Sequence, residues 1–195
     1  YLVVVGDITA DQAKADANEY FGAWIKGDVP SPSFNPHTNP AENQVTFVPL
    51  KGAVQSTINV TYPVNLQPGS SDALAARVMN TILGGGVFSG RLMQNLREDK
   101  GYTYGSRSSL SSNRIVGSFT ASASVRNEVT DSSVTEILYE LDRMISEPVN
   151  DSILTFVKNS MAGGFARPLE SPRTIARFAL NTFKYNLPKG YYNTY

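Results

Sequence analysis

Residues 83–110 read LGGGVFSGRLMQNLREDKGYTYGSRSSL. The stretch runs from a glycine cluster through a short helical repeat, around a turn and into a polar strand. Gly84–Gly86 stop the helix before them. A second helix is expected to start near Ser89, to bury Leu92, Met93 and Leu96, and to end by Gly101. The strand TYGSRSSL then follows. Arg97 and Tyr104 stand seven residues apart on either side of the turn. The strand between them and Leu110 is too poor in bulk to be core, so its face suits a cavity or an extended partner. An arginine and a tyrosine converging there would offer two hydrogen-bond donors to a carbonyl oxygen, including one gaining negative charge. Plainer roles are also open: Arg97 complements the dipole at a helix C-terminus, and Tyr104 covers a glycine.

Working outward, IVGSFTASASV pairs with this strand through SSNR in a hairpin, with Phe119, Ala121, Ala123 and Val125 on one face. Upstream, VTFVPLKGAVQSTINVTYP reads as one or two strands. In it Val54, Ser56, Ile58, Val60 and Tyr62 alternate with Gln55, Thr57, Asn59 and Thr61, the period of a sheet with one solvated face. Helices are predicted over QPGSSDALAARVMNTIL, with Leu74, Val78 and Ile82 inward; over about 131–146, with Val134, Ile137, Leu138, Leu141 and Ile145 inward; and over roughly 150–165. A further helix starts at Ser171-Pro172, an N-cap followed by proline, and carries Ile175, Phe178 and Ala179. Residues 1–6 are predicted as a buried strand. The helix after them starts on Thr9 and Gln12, which have capping-box spacing. Residues 27–44 hold four prolines and form a linker. Adjacent strands joined by a short turn, with helices elsewhere, specify an α+β fold: a largely antiparallel sheet with helices packed on one face.

Composition removes several function classes. The 195 residues are 41% hydrophobic and carry 17 basic and 17 acidic residues, so net charge argues for neither nucleic acid nor an anionic membrane. No apolar run nears the roughly 20 residues of a bilayer span. There is no cysteine and one histidine, His37. A catalytic zinc needs three protein ligands, and neither H-E-x-x-H nor H-x-x-E-H occurs. A serine triad would have to recruit the same His37. The glycine cluster lacks the lysine and Ser/Thr of a phosphate loop, and reads as a helix stop with a tight crossing.

LGGGVFSGRLMQNLREDKGYTYG closely resembles the signature of the second half of pitrilysin/insulinase-family (M16) zinc peptidases, including mitochondrial processing peptidase. LVVVGDITADQAKADANEYFGAW resembles the strand and helix that close the family's first half. PLKGAVQSTINVTYP resembles the first strand of its second half, and ESPRTIARFALNTFKYNLPKGYYNTY the helical stretch that follows. The resemblance implies a two-layer α+β sandwich of the LuxS/processing-peptidase type, and two homologous halves facing each other around a closed chamber. It implies Zn2+ in the other half, held by H-x-x-E-H, with no metal and no catalytic residue here. By resemblance Arg97 and Tyr104 bind and orient an extended peptide or unfolded polypeptide; Tyr102 competes for the tyrosine role.

On the same footing residues 1–26 are the terminal strand–helix unit of the preceding half, 27–44 the linker, and 45–195 the second-half domain without its last strand and helix. Residues 1–26 are then expected to fill the vacant sheet edge, in the same molecule or a neighbour. The partner is the zinc-bearing half, in the same chain or another subunit, and the 195 residues alone are expected to bind no zinc tightly and to cleave nothing. A non-catalytic family member, serving as partner or scaffold subunit, is the competing reading, and a plain binding module the third. Bacterial relatives of this compact type are often periplasmic or in the cell envelope.

Overall fold

The computed structural model describes residues 1–30, 33–35, 37–86 and 90–194. The expected helix start at Ser89 lies outside the described residues. Two compact units are distinguished: Tyr1–Pro36 together with Gly164–Tyr195, and His37–Gly163.

The second unit holds the sheet. Strands β1 (Gln55–Val64), β2 (Thr103–Ser111) and β3 (Gly117–Arg126) lie in the order β1-β3-β2, all antiparallel. This is the expected α+β arrangement. Alternation sets the two faces. On β3, Phe119, Ala121, Ala123 and Val125 are buried, and opposite them sit Tyr62, Val60, Ile58 and Ser56 of β1. These residues meet a helical layer made of α2 (Ala73–Asn80), α3 (Arg91–Met93) and α4 (Thr130–Ser146). Leu83, Leu92, Leu96 and Ile137 complete the core.

Both helices of the 83–110 region depart from α geometry. The α2 helix continues as a π-helical turn, Thr81–Gly85, and α3 as a second, Gln94–Asp99. Such turns are rare and are frequently found at functional sites. The glycines allow a close crossing: a Cβ on Gly84 would stand 2.7 Å from the Ser108 backbone nitrogen, and one on Gly90 would stand 2.8 Å from Gly84 Cα.

Several expectations are corrected. Leu74, Leu138 and Ile145 are exposed, whereas Ala73, Asn80, Ser133 and Glu140 are buried. On α4 the spacing is right for Val134, Ile137 and Leu141, which reach the core, but the buried face also takes Glu140, a carboxylate met by donors there. Val54 lies outside β1 and is exposed, and 45–54 adds no second strand.

In the first unit, residues 1–5 form no strand and are exposed, and the three-stranded sheet does not include them. A run of valines supplies strand propensity but not the neighbour that a ladder of N–H and C=O groups requires. The capping box at α1 (Ala10–Phe21) is half formed. Thr9 Oγ1 accepts the Gln12 N–H at 3.2 Å, while the Gln12 amide turns forward to donate to Asp16 at 2.6 Å. After α5 (Asp151–Ala166), α6 (Pro172–Tyr185) starts on Ser171-Pro172, but the serine makes no side-chain cap bond. Ile175 and Ala179 are exposed, while Phe178 stacks between Phe165 and Tyr192.

Gly84→Ala is expected to destabilise the protein by about 1–3 kcal/mol, the usual range for forcing bulk into a packed crossing. The urea unfolding midpoint would report the loss.

Candidate functional site

The π-helical turn Gln94–Asp99 hands the chain to β2 through a tight reversal. The Lys100 N–H donates to Asn95 O at 3.0 Å, the Tyr102 N–H to Leu96 O at 2.8 Å, and the Gly101 N–H to Arg97 O at 3.1 Å. Gly101 has φ +63°, a left-handed conformation that glycine adopts without steric cost. The reversal is tied down from two sides. Arg126 on β3 donates to the Gly101 carbonyl at 3.2 Å, and Lys100 pairs with Glu136 on α4 at 3.1 Å.

Arg97 sits at the end of the π-helical turn with a half-exposed side chain. Among the described residues its ion pair is with the adjacent Glu98, at 3.5 Å between two solvent-accessible groups. Pairs of this kind are weak, so the guanidinium remains available to a ligand.

Tyr104 depends on an irregularity in β2. Thr103 faces Val125 and Ser106 faces Ala123, so three steps on β2 match two on β3. This is a β-bulge, one extra residue in one strand. Thr103 stitches it: its hydroxyl accepts the Gly105 N–H at 3.1 Å and donates to the Ser124 carbonyl at 2.6 Å. Tyr104 is thereby placed on the side of the sheet away from the helices and is 91% exposed. Tyr102, the alternative tyrosine, is half-buried and packs against the core. Thr57, Asn59 and Thr61 of β1, Ser118 to Ser124 at alternate positions of β3, and Arg107 and Ser109 of β2 share the side of Tyr104, by register and burial. Arg97 and Tyr104 thus flank one anchored turn, each with an accessible donor.

Beneath Arg97 lies a polar network that the hydrophobic reading of α4 missed. Asn95 is buried and its amide nitrogen donates to Glu136 at 2.9 Å and to Glu140 at 2.8 Å. Arg143 closes the far side, donating to Glu140 at 3.2 Å and to Glu147 at 2.9 Å. The spacing Glu136, Glu140, Arg143, Glu147 on one helix face was the available signal. The Asn95 donation, aided by Lys100 and opposed by burial, holds Glu136 below the usual carboxylate range. The same pairing raises Lys100, chiefly through its hydrogen bond to Glu136. Arg143 is raised and Glu147 lowered, chiefly by their mutual hydrogen bond.

Zinc, implied by the resemblance, finds no fitting donor set here. His37 is the sole histidine and there is no cysteine. Among the described residues no group of three or more His, Cys, Asp or Glu could hold a metal ion. Among the same residues no helix is long and apolar enough to cross a membrane.

The family model described as "Peptidase M16 inactive domain" matches residues 1–161. Among solved structures, the chain is similar to a peptidase M16 inactive domain from Pseudomonas fluorescens, at 26% identity and TM-score 0.74, over 97% of this chain and 44% of that one. It shares its fold with a protease from Helicobacter pylori, at 19% identity and TM-score 0.77, over 95% of this chain and 45% of that one. It also shares it with the periplasmic protease PqqL from Escherichia coli, at 17% identity and TM-score 0.72, over 96% and 21%. The chain therefore spans less than half the length of each. No curated protein matches it.

The Asn95–Glu136 contact gives a pH-dependent test. A carboxylate with a lowered folded pKa contributes stability above its unfolded value, near 4.5, and that contribution is lost as pH falls through the folded value. Asn95→Ala removes the largest cause of the lowering. The variant is expected to be less stable at pH 7 and to lose less of its remaining stability than wild type on acidification below about pH 4.5. Urea midpoints across that range would show converging curves.

Proposed function

The chain belongs to the peptidase M16 inactive-domain family, and from that membership we propose that it is the substrate-positioning half of a zinc metallopeptidase. Its surface encloses one side of a chamber, and Arg97 and Tyr104 grip an extended peptide. Residues 1–26 close the preceding half, 27–44 link the two, and 45–195 form the second. The zinc-bearing half, in the same chain or a partner subunit, supplies metal-assisted hydrolysis.

The observation that carries the reading is the placement of Tyr104. A phenol that is 91% exposed on a bulge stitched by Thr103 costs the strand regular pairing and contributes no packing. A phenol exposed in this way can donate to a carbonyl oxygen of a bound peptide. Arg97, across the anchored turn, can donate to the peptide backbone from its half-exposed position. Donors held in place before the substrate arrives need no reorganisation as negative charge develops on the carbonyl oxygen. The packing of Tyr102 against the core favours Tyr104 as the functional tyrosine.

In the full-length protein, Tyr104→Phe and Arg97→Ala are each expected to lower kcat/KM by about 10²–10³-fold, the loss typical of one transition-state donor. Zinc content and unfolding temperature should stay at wild-type values. Tyr102→Phe should retain near wild-type kinetics. Wild-type kinetics in both Arg97→Ala and Tyr104→Phe would overturn the positioning role. A full-length protein without zinc-dependent cleavage would overturn the peptidase half of the proposal.

A further inference from the structure

Tyr104 and Arg107 are three positions apart on β2. In a regular strand they would point to opposite faces, because successive side chains alternate. The extra residue between Thr103 and Ser106 cancels that alternation and brings phenol and guanidinium to the same side. Arg107 faces Ser122 across β3 and is exposed. Among the described residues its guanidinium has no ion-pair or hydrogen-bond partner. Arg126, the other cation on this side, is engaged with the Gly101 carbonyl. The positions of β1, β2 and β3 that point this way are Gln, Thr, Asn, Pro, Ser, Tyr and Arg; no Asp or Glu stands among them.

Arg107 is thus an exposed cation without a partner among the described residues, on a side of the sheet whose strand positions carry no opposite charge. We infer that Arg107 is a specificity-determining residue: it selects an extended peptide bearing an aspartate or glutamate close to the residue that meets Tyr104. The inference rests on the peptide-positioning reading and deepens it. Because the bulge fits three steps of β2 to two of β3, Arg107 lies roughly 7–10 Å from Tyr104 along the strand at about 3.3 Å per residue. The acidic residue therefore falls about two to four residues from the one at Tyr104. A guanidinium can meet a carboxylate through two parallel hydrogen bonds, a geometry that a neutral amide of the same shape does not complete.

The test walks a single glutamate along an otherwise neutral, fluorescently labelled extended peptide, each paired with its glutamine twin. Binding to the full-length protein is read by anisotropy, with a chelator present to prevent cleavage. At one or more positions the glutamate peptide should bind about fivefold more tightly than its twin at low salt, the effect of an accessible ion pair near the top of its usual range. The preference should shrink in high salt, vanish in Arg107→Ala and reverse in Arg107→Glu, with unfolding temperatures unchanged. Peptides that bind with Tyr104→Phe-sensitive affinity but show no glutamate preference, or a preference that survives Arg107→Ala, would overturn the role of Arg107 and leave the positioning reading intact. Failure of every peptide to bind would overturn both.

Discussion

One extra residue in β2 governs how this surface is organised. A sheet has a strict two-residue period, and the helices occupy one side of it. Phe119, Ala121, Ala123 and Val125 are committed to that side, and so fix the parity of the neighbouring strands. From Ser106 onward β2 obeys the parity, and Ser106 and Ser108 are buried. A Tyr104 in regular register would have entered the same side. The slip by one between Thr103 and Ser106 instead puts the phenol on the other side, away from the side on which Gly84 crosses Ser108. A bulge forfeits regular ladder bonds; the Thr103 hydroxyl offsets part of that by bridging Gly105 and Ser124.

The other flank of the turn is stiffened by different means. Arg97 has no deep packing of its own, so its position is inherited from the π-helical turn that carries it. That turn is nailed to α4 through Leu96 in the core and through Asn95, which reaches two carboxylates at once. A buried amide between two acceptor-only groups must present its nitrogen to both, which fixes the helix in rotation as well as depth. Lys100 and Arg126 then hold the reversal from α4 and from the sheet. Guanidinium and phenol are thus placed by two independent supports meeting at Gly101.

Much of this was legible in the sequence, and the exceptions have physical reasons. Period-two patterning in β1 and β3 gave the correct faces because both strands have one wet side. The glycine cluster was rightly read as a close crossing. Residues 1–5 misled because propensity is local and pairing is not. Leu138 and Ile145 were assigned inward in place of Ser133 and Glu140 because hydrophobic spacing cannot register a carboxylate that is buried with its donors. The bulge was invisible for a deeper reason: Thr-Tyr-Gly-Ser alternates acceptably as a plain strand. Only the register against β3 shows that one position has been inserted. Arg97 and Tyr104 were singled out from the sequence, yet the feature that brings Arg107 to the side of Tyr104 was not.

The chemistry available on this surface limits what it can contribute. Among the described strand positions on this side stand phenol, guanidinium, hydroxyls and amides, with no carboxylate or imidazole; the Glu98 carboxylate beside the turn pairs with Arg97. On the proposed function the proton transfers belong to the zinc-bearing half; His37, the sole histidine, lies in residues 27–44 among prolines. On the same reading this surface supplies donation and positive charge, which suit an oxyanion and a peptide backbone. On the proposed function this is a division of labour set by composition: the side that holds the substrate stays free of the groups that would compete with it for a metal.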